Sequence, residues 1–200
     1  MQHKYIHSLL LLLLLSLTVS TFGQSARQLQ RIQLHVNRGD HWFLLEQYDR
    51  AIAEFDIALR AESNDAVILN KRGLAWLGKN DPGMALRDFN KALKYKPDFA
   101  NCWHNRGVVW YRKNKLDKAV ADFDQALKFK PFFAEALMAR GLTKLKQNNE
   151  IEAEKDFEES VKLDTNLSIP ISQSVERMKS GFVAKSNRTQ RSRLIKATLP

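Results

Sequence analysis

The chain has very little cysteine, since Cys102 is the only one among 200 residues. One thiol cannot form an internal disulfide, so packing must stabilise the fold even in an oxidising compartment. The residues 34 positions before and after it, Ile68 and Ala136, are both apolar. This pattern favours a small buried filler over a reactive thiol.

The sequence also lacks the common signatures of catalysis and of bound metal. It has no phosphate-binding glycine loop, no paired-cysteine motif and no metalloprotease histidine motif. Cys102 and His104 are two residues apart, so on a helix they do not face each other. The frequent carboxylates are expected on a solvated helix face, among them Asp122, Asp124, Glu152 and Glu154. We therefore predict a protein that is not an enzyme and that has no cofactor and no metal site.

Residues 1–23 show the three-part pattern of a secretory signal peptide. Lys4 gives a positive start, residues 9–15 are all leucine, and small and polar residues follow. We predict cleavage between Gly23 and Gln24, export to the periplasm or the exterior, and no membrane span in the mature chain. The alternative is an uncleaved anchor, although polar residues interrupt the apolar stretch and a spanning helix needs about 20 mostly apolar residues.

The net charge of +10 is concentrated near the C-terminus. Residues 24–167 carry 24 basic and 21 acidic residues, or +3, whereas residues 168–200 carry 7 basic and 1 acidic, or +6. We predict a disordered basic tail over residues 183–200. The tail could dock on an anionic surface such as lipid headgroups, or act only as a solubilising segment. Nucleic acid is disfavoured as a partner, because no aromatic side chains interleave with these charges.

Three residue types recur at intervals of 34 residues. A fixed period of this size predicts stacked copies of one supersecondary unit. Such stacks form extended binding surfaces more often than catalytic pockets. The recurring residues are Gly39, Gly73, Gly107 and Gly141, then Ala51, Ala85, Ala119 and Ala153, then Phe55, Phe89, Phe123 and Phe157.

Within each unit, apolar spacing predicts two helices joined by a turn. In residues 66–99 the turn falls at 80–83, and Pro97 ends the second helix. We expect the recurring alanines to meet the glycines where the two helices cross, because glycine permits close approach. The phenylalanines should fill the space between neighbouring units. An arginine precedes each glycine, and we expect its stem to pack while its head reaches water, as for Arg38, Arg72, Arg106 and Arg140.

This pattern resembles the tetratricopeptide repeat (TPR) family. The family has a small residue on helix A, alanine, aromatic and alanine on helix B, and a final proline. The second unit has Gly73, Ala85, Phe89, Ala92 and Pro97, and the third has Gly107, Ala119, Phe123, Ala126 and Pro131. The outer units lack the proline, which is Ser63 in the first and Thr165 in the fourth.

The resemblance implies an all-α fold, a right-handed α-solenoid of four TPR helix pairs plus a C-terminal capping helix. The predicted repeats are 32–65, 66–99, 100–133 and 134–167. Residues 24–31 would extend the first helix, and residues 168–182 would form the capping helix.

The resemblance also places each helix A on a concave groove that binds a protein or peptide. The chaperone-carboxylate subclass is rejected, because its clamp positions fall on Val36, Asp40, Lys71, Asn101 and Asn105. Self-association through the groove or a stacking face, giving a homo-oligomer, is an alternative. The predicted lining is Val36, Asp40, Phe43, Leu44, Val67, Asn70, Leu74, Leu77, Asn101, His104, Val108, Tyr111, Arg112, Glu135, Met138, Leu142 and Leu145.

Overall fold

A computed structural model describes residues 24–178, and they form helices joined by short turns. The prediction of an all-α fold built from consecutive helix pairs is confirmed. The predicted signal segment and basic tail lie outside the described residues. The helices are α1 (24–44), α2 (Tyr48–Ala61), α3 (Ala66–Gly78), α4 (Pro82–Tyr95), α5 (Ala100–Arg112), α6 (Leu116–Phe129), α7 (Ala134–Lys146), α8 (Glu150–Leu163), a 3₁₀ turn (Thr165–Leu167) and α9 (168–178).

The chain divides into two compact units, Met1–Pro97 and Asp98–Pro200. The described part of the first unit contains the pairs α1–α2 and α3–α4. The described part of the second contains α5–α6, α7–α8 and α9. No helix in residues 24–178 has both the length and the apolar character needed to cross a bilayer.

Each helix A ends at a residue in the left-handed conformation. Glu46, Asn80, Asn114 and Asn148 have φ of 57°, 64°, 57° and 68° and lie 34 residues apart. After α3, the Asp81 amide donates to the Trp76 carbonyl at 2.8 Å, which satisfies one free carbonyl of the last turn. The Asp81 carboxylate then accepts from the amides of Gly83 and Met84 and so caps α4.

The recurring glycines receive the recurring phenylalanines of the same helix pair. A Cβ added at Gly73 would lie 2.6 Å from Cε1 of Phe89, and one at Gly107 would lie 2.7 Å from Cε1 of Phe123. Gly39 and Gly141 stand in the same relation to Phe55 and Phe157. The expectation that alanine fills this crossing is therefore wrong, because the aromatic ring itself occupies the space that a missing Cβ leaves.

The recurring alanines are buried beside these rings. Ala51, Ala85, Ala119 and Ala153 each have at most 1% of their surface exposed. Cys102 is fully buried, as expected for a packing residue, and burial raises the pKa of its thiol to about 12.

The recurring arginines form buried ion pairs. Arg72 donates from Nε and Nη2 to both oxygens of Asp88, at 2.8 and 2.6 Å, and from Nη1 to Asp56 at 2.6 Å. Arg140 repeats this with Asp156 and Asp124. The expectation that the arginine heads reach water is therefore wrong.

The second unit contains the same bidentate pair between Arg106 and Asp122, at 2.8 and 2.7 Å. Asp122 is buried, so its predicted place on a solvated face is also wrong. Hydrogen bonds from Asp88 and Asp56 raise the pKa of Arg72 despite its partial burial, so its charge is permanent. These pairs join helix A to helix B and are part of the scaffold.

Candidate functional site

Helices α1 and α3 form an open cleft in the first unit, with one residue from α2 at its base. Its volume is about 270 Å³. The cleft brings together three residues of the predicted groove, Asp40, Phe43 and Leu74, and also Leu44. Its complete lining is Asp40, Phe43, Leu44, Phe55, Lys71 and Leu74.

One ion pair lies in this cleft. The Lys71 ammonium donates to both carboxylate oxygens of Asp40 at 2.6 Å. Both side chains are partly exposed, so each also has a face toward solvent. The pair links α1 to α3 and offers one donor and one acceptor to a ligand, with no net charge.

The rest of the cleft is apolar. Leu44 has 80% of its surface exposed, because it is the last residue of α1 and extends into solvent. The Phe43 ring packs edge-on against Tyr48, with centroids 5.7 Å apart, which fixes its orientation. An exposed leucine beside a fixed aromatic ring is a suitable contact for an apolar side chain of a ligand.

Two predicted groove residues are not accessible. Val36 has 8% and Asn70 has 6% of its surface exposed, so both belong to the packed interior. Val67 is exposed on the first turn of α3, whereas Leu77 is partly buried in the last turn. None of these four lines the cleft.

In the second unit, His104 packs among aromatic rings. Its centroid lies 5.7 Å from that of Phe123 and 5.1 Å from that of Phe133. Burial lowers the pKa of His104 to about 4, with Glu135 acting in the opposite direction, so the ring is neutral at pH 7. Its Nδ1 atom is buried and has no hydrogen-bond partner among the described residues.

Tyr111 lies beneath the ammonium of Lys146, which is 4.8 Å from the ring centroid. Burial raises the pKa of its phenol, so Tyr111 is neutral at pH 7. The remaining predicted residues of this unit fall into two groups. Asn101, Arg112 and Glu135 are exposed, whereas Val108, Met138, Leu142 and Leu145 are partly buried.

Sequence reasoning missed two lining residues, Lys71 and Phe55. Phe55 was assigned only to packing, and Lys71 was considered only as a clamp position. The available signal was opposite charge on two successive A helices, with Asp40 and Lys71 one helical turn short of a full repeat apart. Within residues 24–178, no three His, Cys, Asp or Glu side chains are grouped as they would be around a metal ion.

The described fold matches known repeat proteins. Two tetratricopeptide repeat profiles match the chain, at residues 100–133 and 134–167. No curated protein matches the sequence significantly.

Several solved structures share the fold at low sequence identity. The structure reported as the functional characterization of Pseudomonas aeruginosa pilF is 16% identical, with a TM-score of 0.69, and the match covers 86% of this chain and 78% of that one. YrrB, described as a TPR protein with an unusual peptide-binding site, is 19% identical, with a TM-score of 0.59 and 74% coverage of both chains.

A third similar structure is the first TPR of Spaghetti (RPAP3), which was solved bound to the HSP90 peptide SRMEEVD. It is 21% identical, with a TM-score of 0.58, and the match covers 60% of this chain and 97% of that one. At these identities the likeness establishes the fold. With the two profile matches and the repeated helix pairs, it shows that this chain is a tetratricopeptide repeat protein.

Proposed function

We propose that this protein is an exported, non-catalytic scaffold that binds a peptide or protein segment in the cleft of its first unit. The observation that carries the proposal is the cleft itself, where exposed Leu44 and fixed Phe43 adjoin the Asp40–Lys71 pair. Apolar anchors supply affinity, and a few polar groups orient the ligand.

The ion pair defines the kind of peptide that fits. Lys71 is neutralised by Asp40, so it offers little attraction to the terminal carboxylate of a ligand. The pair can instead accept from a peptide amide and donate to a peptide carbonyl. We therefore propose an internal or extended segment with an apolar side chain as the ligand, which agrees with the rejection of the carboxylate clamp.

Two structurally similar proteins support peptide binding as the function. The titles of the YrrB and RPAP3 structures report peptide binding. The chain shares their fold, and its own cleft supplies the apolar contacts that such a ligand needs.

A matched pair of leucine variants tests the cleft. Leu44 and Leu29 both lie on α1 and both are exposed, at 80% and 60%, but only Leu44 lines the cleft. Peptides are selected from a phage-displayed random library on the immobilised chain, and their affinity is measured by fluorescence polarisation. We expect Leu44→Glu to weaken binding by about tenfold or more, as for a central apolar contact, and Leu29→Glu to have little effect. Equal effects of the two changes would place the binding site elsewhere.

Export is proposed from the pattern of residues 1–23. The test is the mass of the mature N-terminus in the native host, together with cell fractionation. A chain that begins at Gln24 outside the cytoplasm is the expected result, and an intact cytoplasmic chain would exclude export.

The basic tail gives a second, separate proposal. Residues 168–200 carry a net charge of +6, which favours docking on an anionic surface. We expect flotation with vesicles that contain phosphatidylserine, and loss of flotation in high salt or after deletion of residues 183–200. Flotation that survives the deletion would exclude this role.

A further inference from the structure

A second cleft in the first unit carries only positive charge. It is larger than the peptide cleft, about 590 Å³, and the two share no lining residue. Three of its nine lining residues are arginines and none is acidic. The lining is Gln24, Arg27, Gln28, Arg31, Ile32, His35, Ile57, Arg60 and Ala61.

The charge of this cleft is not neutralised within the described chain. Arg27, Arg31 and Arg60 are exposed, and none forms an ion pair with a carboxylate of residues 24–178. His35 is different, because its Nδ1 atom lies 2.6 Å from Glu54. Ile57 is only partly buried and adds apolar surface to the cleft.

The repeat pattern explains why this surface is open. His35 corresponds to Leu69 and Leu137, one and three repeat lengths further along, and both leucines are buried. In the first pair a polar residue replaces the leucine at this position. The surface is therefore composed for contact with a polar, negatively charged partner and not with another apolar helix pair.

The complementary surface is helix α8 in the second unit. Six of its fourteen residues are acidic and two are basic. Ile151, Glu154 and Glu158 follow steps of three and four residues, so they share one face, and all three are exposed. Ile151 has 77% of its surface exposed, which gives this acidic face an apolar contact for Ile57.

We propose that the arginine cleft of one copy binds the acidic face of α8 in a second copy of this chain. Residues 1–23 and 179–200 contain no Asp or Glu, so neither terminal segment can neutralise the cleft. The two surfaces differ, so the contact is heterologous, and each bound copy still offers one free cleft and one free α8. Association can therefore continue from copy to copy.

Charge reversal tests this contact by sedimentation velocity on the full chain, purified as its host processes it. The wild type is expected to associate with rising concentration. Arg27→Glu/Arg31→Glu and Glu154→Lys/Glu158→Lys are each expected to weaken association by about tenfold or more, because like charges then oppose each other. The variant that carries all four changes is expected to regain association, because its two surfaces are complementary again.

The control reverses two other basic residues one helical turn apart, Arg87→Glu/Lys91→Glu on α4, which changes net charge by the same amount. It is expected to associate like the wild type. The proposal fails if the wild type stays monomeric up to its solubility limit. It also fails if the four-change variant does not recover, or if the control loses association equally. Peptide binding through Leu44 is measured in parallel, so either idea can fail without the other.

Discussion

Replacing Gly73 by alanine tests whether the glycine exists to hold the Phe89 ring. The added Cβ would lie 2.6, 2.9 and 3.0 Å from Cε1, Cδ1 and Cζ of Phe89. Carbon atoms pack at about 3.5–4.0 Å, so the ring would have to retreat by roughly 1 Å. Phe89 has none of its surface exposed, and it has no open space to enter.

Two effects of opposite sign decide the outcome. Alanine improves helix propensity by about 1 kcal/mol relative to glycine. Overpacking a close-packed core costs about 1–3 kcal/mol, and a displaced, fully buried ring belongs at the upper end. We therefore expect Gly73→Ala to lower the free energy of unfolding by about 1–2 kcal/mol.

Gly83 in the next helix is the matched control. A Cβ there would meet only Oδ1 of Asp81, at 3.3 Å, and the position is exposed. Gly83→Ala should leave stability unchanged or raise it by up to about 1 kcal/mol. Urea unfolding followed by circular dichroism measures both variants. A Gly73→Ala chain as stable as Gly83→Ala would refute the packing argument.

Four further changes follow from the same structure. Asp88→Ala removes the bidentate partner of Arg72, and we expect a loss of about 3 kcal/mol in urea unfolding. Glu46→Asn should add about 0.5–1 kcal/mol in the same assay, because asparagine tolerates its φ of 57°. Cys102 should react with iodoacetamide only on unfolding, since its thiol is buried and its pKa is raised to about 12. The lowered pKa of His104, about 4, means that protonation favours the unfolded chain. Stability should therefore fall as pH drops from about 6.5 to 4, by up to about 3 kcal/mol more than in His104→Phe.

The fold was predictable because the residues that define it recur. Four glycines and four phenylalanines at one period identify helix pairs without any knowledge of their contacts. Which residue fills the crossing was not predictable, since alanine and phenylalanine share the same period. Only the geometry shows that the ring enters the space beside each glycine.

The buried ion pairs illustrate a different failure. Asp88, Asp122 and Asp156 also recur at 34 residues, one position before each phenylalanine. Charged residues are seldom buried, so the pattern was read as a solvated surface. The signal that indicated otherwise was the parallel period of the arginines, because two opposite charges conserved in register can satisfy each other in a partly buried site.

The left-handed turn residues also left a visible signal. Asn80, Asn114 and Asn148 recur at the same interval, and asparagine tolerates positive φ. In the candidate site, sequence spacing placed Asp40 and Phe43 correctly together, but it could not separate them from buried Val36. All three lie on one helix, and burial depends on side chains contributed by other helices.

The central claim is that the cleft beside Leu44 contacts the partner. A photo-crosslinking amino acid placed at position 44, and in a second chain at position 29, tests this directly in the native host. We predict a crosslinked partner peptide from position 44 and not from position 29, identified by mass spectrometry. The same partner captured from both positions, or from position 29 alone, would contradict the account.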